Sequence, residues 1–154
     1  MLVSDSASPP HDIDLRNCVQ FEPDHPVYIR TCELVYQHIS EHRHFDQLYS
    51  TRHYGPMVFS FCWDKNLDDF LSHLIWTDRL SEAVAAVHLY LKIHSDCKMA
   101  SQTDVQNSTE VEIIRSFAKI ESLKAGKVNA ALDKLQETKD TENQILSQHG
   151  TKSN

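Results

Sequence analysis

Glycine is scarce in this chain, with three in 154 residues. Hairpin-rich β folds and phosphate-cradling loops draw on glycine for positive φ and close backbone approach, so neither class is expected. The four cysteines, Cys18, Cys32, Cys62 and Cys97, include no CxxC pair. Dispersed thiols of this kind read as reduced, which fits an intracellular protein of the cytoplasm or nucleus. No stretch approaches the roughly 18 apolar residues of a membrane-spanning helix, so no membrane insertion is expected. The opening Met1-Leu2-Val3-Ser4-Asp5 lacks the basic and apolar regions of a secretory signal.

Positive charge is also in short supply. Fifteen Lys and Arg face 22 Asp and Glu, a net charge of −7. The imbalance is concentrated in residues 1–24, where Asp5, Asp12, Asp14, Glu22 and Asp24 stand against Arg16 alone. Sequence-independent nucleic-acid binding needs a basic face to displace counterions, so the charge balance argues against a nucleic-acid partner.

What is present is helical periodicity. Residues 1–25 read as a flexible acidic lead, with Pro9 and Pro10 and no apolar period. A helix should start at Pro26, behind Asp24 as cap, and reach about Phe45, with Gly55-Pro56 as its terminator. Met57 to Trp63 alternates like a strand, yet Phe59, Trp63, Leu67, Phe70 and Leu74 keep helical spacing. With no second strand to pair, the spacing predicts one helix from Pro56 to about Trp76, broken near Asp64. A further helix from Leu80 to about His94 carries Leu80, Ala83, Val84, Val87, Tyr90 and Leu91 on one stripe. After a polar loop, Thr109 with Glu112 forms a capping box for a helix through Leu123, and the last helix opens beyond Ala125-Gly126-Lys127. These elements give a single α-helical domain over 26–148 and a disordered tail over 149–154.

Candidate sites are few. His38 and His42 lie one helical turn apart with Cys32 upstream, so a zinc-binding protein using a Cys32/His38/His42 cluster is the alternative reading of function. Tyr49, Arg52 and Tyr54 mix aromatic and basic character. Such side chains anchor protein partners when desolvated, and they are the leading partner-binding residues. Asp64, Asp68, Asp69 and Asp78 lack the spacing and glycine of a calcium loop and read as helix-terminal charge. The SxxK spacings at Ser95/Lys98 and Ser116/Lys119 come without companion motifs. No catalytic constellation, cofactor motif or enzyme class is indicated.

One internal likeness remains. Leu74-Ile75-Trp76-Thr77-Asp78-Arg79-Leu80-Ser81-Glu82-Ala83-Val84 matches Ser122-Leu123-Lys124-Ala125-Gly126-Lys127-Val128-Asn129-Ala130-Ala131-Leu132 in its order of apolar, small and basic positions. In both, a turn precedes an apolar–x–x–Ala–apolar run, which resembles the tetratricopeptide and related helical-hairpin families over roughly residues 56–140. The resemblance implies stacked hairpins and a binding scaffold. The expected fold is therefore all-α, with antiparallel helical hairpins in a short solenoid or irregular bundle. The expected function is a non-enzymatic interaction adaptor or small subunit of a larger complex, meeting protein partners or a second copy through helical surfaces.

Overall fold

A chain this poor in glycine must end its helices by other means. The computed structural model describes residues 11–18, 20–101 and 108–150, and its regular elements are all helical. They are α1 (His11–Cys18), α2 (Pro26–His42), a 3-10 turn at Phe45–Leu48, α3 (Tyr54–Trp63), α4 (Asp68–Trp76), α5 (Leu80–Ile93), α6 (Glu110–Ile120) and α7 (Ala125–Gly150). Three of them close with the paired backbone bonds of a Schellman motif. At the end of α2, His44 N–H donates to Ile39 C=O and Arg43 N–H to Ser40 C=O. Asn66 to Phe61 and Lys65 to Cys62 close α3, and Arg79 to Leu74 and Asp78 to Ile75 close α4. The left-handed position is held by Arg43 (φ 57), Lys65 (φ 55) and Asp78 (φ 53), where glycine is usual. Gly55 and Gly126 instead sit in first turns, of α3 and α7.

The chain divides into two units, Met1–Ser60 and Phe61–Asn154, with the boundary inside α3. In the first, α1 packs on α2. Leu15 and Cys18 of α1 are buried, as are Val35, Tyr36 and Ile39 of α2, Phe45 and Leu48 of the 3-10 turn, and Met57. The segment expected as a flexible lead thus contains α1; residues 1–10 lie outside the described residues. The cap of α2 is His25, whose Nδ1 accepts from Val27 N–H at 3.2 Å, not Asp24. Gly55-Pro56 opens a helix instead of ending one, because proline's missing N–H costs nothing in a first turn.

The helix expected over 56–76 is broken as expected near Asp64, giving α3 and α4 separated at residues 64–67. The strand alternative for 57–63 is overturned. Helices α4 and α5 form one hairpin and α6 and α7 another, and α4 packs on α7 while α5 packs on α6. The core contains Phe70, Leu71, Leu74, Ile75, Ala83, Ala86, Val87, Tyr90, Ile113, Ile114, Phe117, Val128, Ala131 and Leu132. Val84, expected on the same stripe, is only half-buried. Thr109 accepts from Glu112 N–H at 3.3 Å and Glu112 Oε2 accepts from Thr109 N–H at 2.7 Å, the reciprocal box expected for α6.

Two aspartates fix how the hairpins meet. Asp68 Oδ2 accepts from Leu123 N–H at 3.1 Å and Lys124 N–H at 3.2 Å, capping α7 across 55 residues of sequence. Asp69 accepts from Lys124 Nζ at 2.6 Å and from Lys127 Nζ. Further along, Lys139 Nζ meets Asp78 Oδ1 at 2.8 Å, beyond the end of α4. The start of α4 lies beside the start of α7, and its end beside the middle of α7, so these neighbours run in the same direction. Tyr90, late in α5, meets Phe117, late in α6, edge to face at 5.0 Å, and Met99 N–H donates to Glu121 at 2.9 Å. So α5 and α6 also run in the same direction.

A translated repeat would set α6 along α4 and α7 along α5. Here α7 returns to α4 and the four helices close on one another. The irregular-bundle form of the expected fold is the one observed.

Two outcomes follow from these contacts. Lys65→Gly should raise unfolding free energy by about 0.5–1 kcal/mol, because glycine carries no Cβ penalty in the left-handed region. A lower urea midpoint would show that Lys65 bears no such strain. Partial burial raises the Asp69 carboxyl, but the hydrogen bonds and charges of Lys124 and Lys127 outweigh it, holding the group below its ordinary 3.8. Its folded value being depressed, its contribution is full above the unfolded value and is lost as pH falls through the lower, folded value. Asp69→Asn should cost about 1 kcal/mol near neutrality, the half-exposed lysines limiting the effect, and less as the pH is taken below 3.8. Parallel pH–stability curves for the two proteins in that range would contradict this assignment.

Candidate functional site

The expected anchors lie in the first unit. Ser50, at φ 67, turns the chain between Tyr49 and Thr51. Thr51 Oγ1 donates to Leu48 C=O at 2.7 Å and accepts from His53 N–H at 3.2 Å, pinning the loop from both sides. The pinned loop brings Tyr49 and Tyr54 together edge to face, 5.2 Å between ring centroids. Tyr49 remains 47% exposed, Arg52 is exposed and Tyr54 is half-buried. The positive charge of Arg52 reaches Tyr28, where it favours the phenolate but is outweighed by burial. Tyr49 and Tyr54 thus form one aromatic feature, with the exposed Arg52 between them in sequence.

Cys32, His38 and His42 do not converge. Six residues of helix separate Cys32 from His38, which is about 9 Å of rise and a different face of α2. Cys32 instead lies between the hydroxyls of Tyr28 and Tyr36, and burial pushes its thiol above the usual range, away from the thiolate a metal requires. The rings of His38 and His42 stack face to face at 4.0 Å, and His42 Nδ1 lies 3.0 Å from His38 C=O. Among the described residues no group of three or more His, Cys, Asp or Glu side chains is placed to hold a metal ion. The zinc reading is set aside on this geometry.

Sequence reasoning missed a second surface. In the second unit a cleft of about 200 Å³ opens between the α4–α5 turn and α7, lined in part by Ile75, Trp76, Asp78, Leu135, Lys139 and Glu142. Trp76 is 57% exposed although its neighbours Leu74 and Ile75 are fully buried. The signal for this cleft was a tryptophan one step off an otherwise buried stripe. From residue 140 to 148 every side chain of α7 is exposed, including Ile145 and Leu146. No helix among the described residues is long and apolar enough to cross a membrane.

The described structure is an all-helical scaffold with exposed aromatic and apolar side chains. The comparisons narrow the class. Residues 10–95 match the family described as mitochondrial 28S ribosomal protein S22, and the chain belongs to that family. It is 36% identical over 124 residues to the small ribosomal subunit protein mS22 of Mus musculus, covering 80% of this chain and 34% of that protein. The Bos taurus mS22 is 35% identical over 127 residues, covering 81% of this chain and 35% of its own length. The chain thus spans about a third of the length of these relatives.

This overturns the tetratricopeptide resemblance. The 48-residue spacing exceeds the 34 typical of that family, and the aligned segments differ in structure: Thr77-Asp78-Arg79 joins α4 to α5, whereas Ala125-Gly126-Lys127, expected as the matching turn, lies inside the first turn of α7. The relatives are named as proteins of the small ribosomal subunit, so they are parts of a larger complex, as the coarse form of the expected function has it. The narrower cytoplasmic or nuclear placement is not supported, and neither is the argument against nucleic acid, which averaged charge over the whole chain.

The stacked histidine pair gives a direct check on the metal reading. The full chain purified without chelators should carry no stoichiometric zinc, and His38→Ala/His42→Ala should leave its melting temperature independent of added zinc. A zinc-dependent rise in melting temperature that the double variant abolishes would restore the cluster.

Proposed function

We propose that the chain is a component of the mitochondrial small ribosomal subunit, held there by contacts with neighbouring ribosomal proteins and ribosomal RNA. The observation that carries this reading is the family match over residues 10–95, joined to 36% identity with mouse mS22 over 80% of the chain. The all-α scaffold suits such a role: rigid helices present side chains at fixed spacing, and no catalytic group is required of them.

Within that reading, Tyr49, Arg52 and Tyr54 anchor the first unit to its neighbour. Supporting this are the exposure of Tyr49, the Tyr49–Tyr54 edge-to-face pair and the exposed Arg52. Aromatic and arginine side chains of this kind serve protein partners and nucleobases alike, by burial, stacking and cation–π contact.

The test is sedimentation. Tagged full chain expressed in cells should enter mitochondria and comigrate with the small ribosomal subunit in a sucrose gradient. Tyr49→Ala/Arg52→Ala/Tyr54→Ala should keep its helical circular dichroism while a larger share stays at the top of the gradient. Aromatic and arginine anchors each contribute about 2 kcal/mol when fully desolvated, so the shift should be readily visible. Wild-type chain found only outside mitochondria, or free of ribosomal particles, would refute the assignment. Unchanged comigration of the triple variant would refute the anchors alone.

A further inference from the structure

The geometry of the Trp76 cleft points to a receptor for a single arginine side chain presented by a protein partner. One wall is the Trp76 indole, 57% exposed. Leu135, half-buried on α7, supplies apolar surface for an aliphatic stem. Arginine combines such a stem with a planar, weakly hydrated cation that stacks on indole faces, the best aromatic partner for a cation.

The charges at the rim choose the sign of the guest. Lys139 is paired with Asp78 at 2.8 Å, and Lys134 with Glu137 at 3.2 Å. Both cations that would attract a phosphate are thus answered by carboxylates of the chain itself. Glu142, on the same rim, has no ion-pair partner among the described residues. The unmatched charge beside the exposed indole is therefore negative, and the whole chain carries −7. A guanidinium stacked on Trp76 with Glu142 at its edge satisfies both groups at once. A nucleotide would stack as well but would bring its phosphate to a rim whose unmatched charge repels it.

The position of the cleft adds a reason for a protein guest. It lies where α7 leaves the body of its unit, since every side chain from 140 to 148 is exposed. A polypeptide delivering its arginine there would also run past Ile145 and Leu146, exposed 51% and 70%. The inference goes beyond the ribosomal assignment and does not depend on it, because it is read on the isolated full chain.

The experiment follows the two indole N–H signals of the ¹⁵N-labelled full chain by NMR, with the Trp76 signal identified by its loss in Trp76→Phe. The probe is the N-acetylated, amidated tripeptide glycyl-arginyl-glycine at millimolar concentration. Its citrulline counterpart and a uridine hexanucleotide are titrated in parallel. The Trp76 signal should move saturably with the arginine peptide while Trp63 stays still, and citrulline should produce no saturable shift. Glu142→Gln should weaken the arginine response about two- to fivefold, whereas Lys134→Gln should not weaken it. No movement, equal response to citrulline, equal movement of Trp63, or an unaffected Glu142→Gln would overturn the proposal. A stronger response to the hexanucleotide would overturn it in favour of RNA. Circular dichroism of each variant confirms that the fold is retained; Glu142 is exposed and outside the core, so its replacement reads binding alone.

Discussion

The second unit depends on two adjacent carboxylates at the start of α4. Asp68 is 96% removed from solvent, its exposure being 4%, and one of its oxygens is given to the two backbone N–H groups that precede α7. Helix N-termini leave such donors unsatisfied and carry partial positive charge, so a carboxylate there is favoured twice, by hydrogen bonding and by the dipole. Asp68 also begins α4 itself, so a second helix terminus favours the same charge. Against this stands the other oxygen, which is buried without a hydrogen-bond partner among the described residues. That cost is why the capture of α7 cannot be a loose contact: released from it, Asp68 would lose its two donors and stay partly desolvated. Asp69 solves the adjoining problem. Lys124 and Lys127 flank the start of α7, the end where cations are disfavoured by the dipole, and the Asp69 carboxylate pairs with both.

This clamp also decides topology. Two successive hairpins can otherwise stack as translated copies. The pairing of Asp68 and Asp69 with residues 123–127, and of Asp78 with Lys139, aligns α7 with α4 instead. With α7 placed there, α6 lies against α5 and runs in the same direction. Beyond the end of α5, Met99 is buried at 1% exposure and bonded through its backbone to Glu121.

What was legible in the sequence was local. Leu80, Ala83, Val87 and Tyr90 of the one stripe, and Ile113, Ile114 and Phe117 of the other, could be read from spacing because each helix buries one face. The Thr109–Glu112 box was legible because its partners are three residues apart. The direction of the second hairpin was not legible, since it rests on contacts 55 residues distant in sequence, and Asp68 and Asp69 read only as terminal charge. The break near Asp64 and the end at Trp76 were legible from spacing, but α2 was carried past Arg43 to about Phe45, because the usual punctuation is glycine and here the left-handed residue is charged and exposed. The surface at Tyr49, Arg52 and Tyr54 could be nominated from composition, but not the 5.2 Å ring contact that makes two of the three one feature. The Trp76 cleft needs α7 beside α4 before it exists at all.

Family membership was illegible for a different reason. A ribosomal structural protein has no reaction to impose a motif, so its constraint is spread over a surface matched to neighbours, and residue chemistry in isolation carries little of it. Net charge misled for the same cause. A value of −7 over the chain says nothing of a local face such as the one bearing Arg52, and a subunit wedged in an assembly meets each neighbour through one face at a time. The relevant quantity is the charge left unanswered at each surface after the chain's own pairs are counted. At Trp76 that remainder is the carboxylate of Glu142; at Tyr49 and Tyr54 the nearby exposed charge is the guanidinium of Arg52. The two surfaces are thus of opposite character, each with an exposed aromatic ring beside its charge.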